Sequence, residues 1–250
     1  MTIELEVLMP ALLAALIVLA THVPLGQEVL KRGIVFIDLA LAQVAVLGVI
    51  VAETIGFEAH GLLVQGVAVG AALAGAALLA WLERRFPDQQ EPLIGSLFVL
   101  AASLALLLLN KNPHGAEHLR DILEGQILWV APAQLVPAAI VAAVVLALWF
   151  GMRVRLGRAG FYPLFALSVT LSVQMVGVYL VFASLILPAL AVSRVRPPWR
   201  LPAGYVLGAA SYTIGLGLSF IADLPAAPVI VCLLSAGTAA VWWFVPPVRP

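Results

Sequence analysis

Nine apolar runs, each near the length that crosses a bilayer, follow one another along the chain with short polar connections between them. They extend roughly over 7–25, 34–55, 61–82, 93–109, 135–152, 161–176, 178–193, 201–222 and 229–244. Few folds accommodate this pattern. A segment in the hydrocarbon layer has no water to satisfy its backbone, so it must be a helix or part of a closed barrel. The two-residue alternation of barrel strands is absent from these runs. The chain is therefore read as all-α, a polytopic membrane protein of about eight or nine transmembrane helices that forms a single domain over residues 1–250. Its 63% hydrophobic and 10% charged residues agree, being far from the balance of a soluble domain.

Charge placement gives an orientation, since Lys and Arg collect in short cytoplasmic loops. With the N-terminus outside and nine alternating spans, the inner connections hold Lys31, Arg32, Arg84, Arg85, Arg153, Arg155, Arg158, Arg194, Arg196 and Arg200, and the tail holds Arg249. Only Lys111 and Arg120 of the 13 basic residues stay outside, and the C-terminus is expected to be cytoplasmic. Residues 161–193 are the tightest passage, because two short spans must meet near Gly177; one long kinked helix with a re-entrant piece is the alternative. Glu4 and Glu6 do not make the basic region of a secretory signal, so the first run is expected to remain as a span. Formal net charge is zero, which leaves no basic surface for nucleic acid. Cys232 is the single cysteine, so any metal ligands must be His, carboxylate or backbone groups.

The chain has no phosphate-binding P-loop, no GxSxG nucleophile elbow and no HExxH zinc helix. Transport rather than enzymatic chemistry is the expectation. Ionisable groups within a bilayer are costly and usually functional, which singles out Asp38. It stands five residues past Gly33, so it can reach the inner interface, pair with Lys31 or Arg32, or line a substrate path. Gln43 lies further along the same helix, though five residues apart the two do not share a face. On the other side of the membrane, His114, Glu117, His118 and Asp121 fall on one face of a helix. Two imidazoles one turn apart with flanking carboxylates can hold zinc or manganese; the competing reading is an amphipathic surface segment with its polar face in water. His22 reads as structural and His60 as a solvated loop residue. Gly66, Gly70 and Gly75, with Gly204, Gly208, Gly215 and Gly217, read as close-packing positions.

Several segments taken together resemble the zinc, manganese and iron permeases of the metal-ion ABC transporters. They are Leu25-Gly26, Lys31-Arg32, Asp38 and Gly48; Glu91, Ile94 and Gly95; Leu123 to Leu128; and Val176 to Ala189, with Gly177 and Pro188 in the most specific signature. The resemblance implies a homodimeric inner-membrane permease, driven by a separate cytoplasmic ATPase and fed by a periplasmic or lipid-anchored metal-binding protein. It implies no resident cofactor, only a transported divalent ion, zinc or manganese, passing Asp38 and Gln43. Gln43 stands where the family has a histidine, and an amide is a poorer zinc ligand than imidazole. The family's Phe-Asp-Pro-Glu-x-Ala stretch, which touches the ATPase, is absent; Arg153, Arg155 and Arg158 occupy that segment and are the expected coupling residues. The rival reading is a stand-alone secondary carrier, which should show internal repeats and broken helices; no clear repeat is found.

Overall fold

The computed structural model describes residues 2–57, 61–109, 123, 125 and 127–246, and the side chains of these except 2–6 and 152–159. Among them the regular structure is all helical: α1 Thr2–Arg32, α2 Ile37–Thr54, α3 Leu62–Arg85, α4 Gln90–Leu109, α5 Pro132–Val176, α6 Val178–Val192, α7 Pro197–Ala222 and α8 Ala226–Phe244, with 3-10 turns at Pro87–Gln89 and Ile127–Trp129. Seven segments are long and apolar enough to cross a membrane, while Gly160–Val176 and Val178–Val192 are shorter. The polytopic all-α expectation holds.

The expected boundary between the fifth and sixth spans is absent from the backbone, because helical hydrogen bonding runs on through α5. That helix nevertheless reverses. The rings of Trp149 and Phe161 are 5.9 Å apart, whereas twelve residues of straight helix would separate them by about 18 Å. A small cavity brings Ala138, Val141 and Val145 together with Ser168, Ser172 and Met175, which extends the antiparallel contact along both arms. The two expected spans therefore exist as arms of one bent helix, and its turn falls within 152–159.

The second arm of α5 and all of α6 are the short pair. At 1.5 Å per residue they are roughly 25 and 22 Å long, less than the bilayer's hydrocarbon thickness of about 30 Å. They meet at Gly177, whose φ of 80° and ψ of 165° lie in a region that essentially only glycine occupies. The Ser168 hydroxyl donates to Thr21 at 2.8 Å, and a Cβ on Gly26 would strike Leu185 of α6. Those contacts put Gly177 alongside the middle turns of α1. The pair rises from one side, reverses inside the bundle and returns to the same side. Over the reversal lies the segment that precedes α5: a Cβ on Gly125 would collide with the backbone of Val176 and Gly177, and Ile127 is buried beneath it.

Tertiary hydrogen bonds repair what the helices leave open. Pro24 has no N–H, which frees the Ala20 carbonyl of α1, and the Tyr205 hydroxyl of α7 donates to it at 3.0 Å. Ser184 of α6 bonds Tyr212 of α7 at 2.7 Å. Thr238 and Trp242 of α8 donate to the carbonyls of Leu187 and Leu190 at 3.1 and 3.0 Å. Each such bond between membrane helices contributes about 0.6 kcal/mol, so α6 is held on two sides despite its length. Glycines close the remaining gaps: Gly208 meets Leu19, Gly215 meets Ile230 and Gly75 meets Val44, as expected of packing positions, whereas Gly66, Gly70 and Gly217 have nothing within 4 Å.

Candidate functional site

The site grows from the junction of α1 and α2. Gly33, at a φ of 69°, ends α1; the N–H of Ile34 then reaches back to the Val29 carbonyl at 3.4 Å, a closure that needs a left-handed residue and favours glycine. The chain re-enters the bundle and starts α2 at Ile37, so Asp38 falls in the first turn, where the helix dipole favours a carboxylate. The Leu39 N–H donates to Asp38 Oδ1 at 2.8 Å. The side chain is only 1% exposed, and its other oxygen, Oδ2, has no hydrogen-bond partner.

Two of the three roles that the sequence leaves open for Asp38 do not survive. It does not reach the aqueous interface. Nor is it bonded to the basic pair: Oδ1 accepts the Leu39 N–H and Oδ2 has no hydrogen-bond partner, while Arg32 bonds Glu28 at 3.1 Å and stacks 4.3 Å over the Phe161 ring. The carboxylate is buried with an idle oxygen, and that arrangement suits a group whose partner comes and goes. Gln43 is also buried, at 4% exposure, on a different face of α2 as its spacing requires.

Glu91 is the residue whose place at this site the sequence did not assign. It lies in the first turn of α4, and its Oε1 accepts the Val35 N–H at 2.6 Å across 56 residues. Its Oε2 is buried without a partner. A carboxylate at the inner start of an apolar run, the very feature that drew notice to Asp38, was the available signal. A second polar group is a chain on α1: His22 Nδ1 contacts the Val18 carbonyl at 2.9 Å and Thr21 at 3.1 Å, and Ser168 donates to Thr21. His22 is fully buried, in keeping with its structural reading, although Nε2 has no partner.

His114, Glu117, His118 and Asp121 lie outside the described residues, as does His60. The backbone of Arg153, Arg155 and Arg158 is helical at the bend of α5. Gly177 is the helix break between α5 and α6, and Pro188 is buried within α6. Among the described residues no three His, Cys, Asp or Glu side chains gather to hold a metal ion. Among the described residues Asp38 and Glu91 are thus two carboxylates rather than a complete cage, and a hard divalent ion held by so few carboxylates would keep water among its ligands.

The basic residues whose side chains are described share one end of the bundle. Arg32 covers Phe161, next to the bend of α5, and Tyr162 lies near Glu83 and Gln90, beside Arg84 and Arg85. Arg194 donates to Trp242 and Val245 at the end of α8, and Arg200 to Val195. Gly204 of α7 packs on Val23 of α1, which brings the start of α7 to the end of α1.

The model of the ABC 3 transport family matches this chain over residues 4–156 and 147–244. Among solved structures, PsaBC from Streptococcus pneumoniae in complex with Fab superposes with a TM-score of 0.77 at 20% identity, covering 96% of this chain and 92% of that one. A metal-chelate type ABC transporter in an inward-facing conformation superposes with a TM-score of 0.70 at 18% identity, covering 94% and 85%. At these identities the likeness is one of fold.

Proposed function

The chain belongs to the ABC 3 transport family and is an ABC-transporter permease subunit, and from that premise we propose that it moves a divalent metal ion, zinc or manganese, across the inner (plasma) membrane. Two copies form the pore, a separate cytoplasmic ATPase docks on the basic end near Arg153, Arg155 and Arg158, and a periplasmic or lipid-anchored protein delivers the ion. The N-terminus is outside and the C-terminus inside. The observation that carries the reading is Asp38: a buried carboxylate with one oxygen unpartnered, at the end of the bundle where the basic residues gather. Burying such a group costs several kcal/mol unless something compensates it, and a passing cation is the compensation that transport supplies. Zinc and manganese both accept carboxylate oxygens, and the absence of an imidazole beside Asp38 in the sequence leans toward the harder manganese ion.

The test is reconstitution. Permease and candidate ATPase in proteoliposomes, supplied with the binding protein, should hydrolyse ATP faster when zinc or manganese is present and accumulate that ion. Hydrolysis that neither metal stimulates, with no ion accumulated, would refute the metal assignment while leaving family membership intact.

A further inference from the structure

The start of α2 has no cap of its own. Helix N-termini are usually closed by a Ser, Thr, Asp or Asn side chain, but the residue there is Phe36, which makes no side-chain cap bond. The three residues between Gly33 and Ile37 must nonetheless hold one conformation, because they set where Asp38 points. Two contacts from other helices do this. The Phe36 ring stacks on Phe182 of α6, with centroids 6.4 Å apart, and Glu91 of α4 accepts the Val35 N–H at 2.6 Å. Only the second is directional. It is a charge-assisted bond, of the class about twice as strong as a neutral one, and it joins a backbone group three residues from Asp38 to a helix 56 positions along the chain.

We propose that Glu91 is a positioning residue for the ion path: by accepting the Val35 N–H it fixes the turn that launches α2 and so holds Asp38 with its free oxygen in register for the ion. The proposal rests on the reading of Asp38 as a path residue. The anchor needs an oxygen at that place more than a charge, so glutamine should serve where alanine cannot.

The experiment titrates the full-length permease in lipid nanodiscs with Mn(II) and, separately, Zn(II), using Glu91→Ala, Glu91→Gln and Asp38→Asn, with thermal unfolding as the check on folding. Glu91→Ala should weaken binding of the better ligand about tenfold at unchanged stoichiometry. Glu91→Gln should recover most of that loss, to within about threefold of the original, and its unfolding midpoint should match that of the alanine variant. Equal losses for Ala and Gln would overturn the proposal, since charge rather than the anchor would then matter. So would binding that Asp38→Asn abolishes and Glu91→Ala leaves untouched, an outcome that spares the reading of Asp38. Full binding by Asp38→Asn would remove the path role of Asp38 and this proposal with it.

Discussion

At the scale of single residues, the chemistry of the bundle concentrates where a polar atom is buried without a partner. Asp38 Oδ2 and Glu91 Oε2 are such atoms, at the starts of α2 and α4. Asp38→Asn is expected to lower metal uptake at least tenfold in vesicles or cells while membrane insertion, judged by immunoblot and protease protection, stays intact, because the change removes a charge without changing shape. Uptake near the original level by a well-inserted variant would return Asp38 to a structural role. His114 and His118, which the sequence reading puts outside, make a different prediction from sequence alone. Imidazole binds metal only when neutral, so any ion they relay should be lost as pH falls through the ordinary histidine value of about 6.5. Replacing both by alanine should raise the metal concentration for half-maximal uptake several-fold at pH 7.5 and matter less at pH 5.5, where the protonated imidazoles already fail to bind. An unchanged concentration dependence at pH 7.5 would leave them as a solvated face. The burial of Asp38 drew notice in the sequence because a lone acid in an apolar run is conspicuous; the contact of Glu91 with the turn before α2 did not, because it runs to a backbone N–H 56 residues away.

Among the elements, α5 and α6 depart most from what apolar run lengths suggest. Neither the second arm of α5 nor α6 is long enough to cross alone, and the break between them has a conformation for which glycine is nearly required. Gly177→Ala is expected to cost about 1–3 kcal/mol, read as a drop in the thermal unfolding midpoint of the detergent-solubilised protein. Gly125→Ala should be at least as damaging, for it combines a φ of 70° with a collision against the backbone of Val176 and Gly177. Gly66→Ala, in open space, is the control, and a midpoint shift as large as that of Gly177→Ala would contradict the packing described. Gly177 stood out in the sequence as the weak point of residues 161–193. That Gly125 and Ile127 come back to cover it did not, since contact between two glycines about fifty positions apart leaves no periodic trace.

For the molecule as a whole, the bend in α5 and the reversal at Gly177 settle a question of parity. The two short helices leave and return on the same side, so they add an even number of passages, and the segments after them keep the sense that nine alternating spans require. Reporter fusions after Arg85 and after Arg158 should therefore both read cytoplasmic, with one after Asp223 external. A cytoplasmic reading at Asp223, or an external one at either arginine, would break the arrangement. In the proposed reading, the end shared by the described basic residues is the face on which the ATPase docks. It is built from the ends of α1, α3, α6 and α8, the starts of α4 and α7, and the bend of α5.

The apolar runs by themselves determined the class of fold, because a backbone in hydrocarbon has one economical way to satisfy its hydrogen bonds; the spread of Lys and Arg likewise suggested the side each loop occupies. These are local properties, carried by composition within a window of about twenty residues. Tertiary structure alone decided that the two short runs reverse at Gly177 inside the bundle rather than continue as one kinked helix. It also decided that Arg32 turns to Glu28 and Phe161 rather than to Asp38, and that Glu91 anchors the turn before α2. Such outcomes depend on which helix faces which and at what height, a matter of packing between segments distant in the chain that no single window of sequence contains.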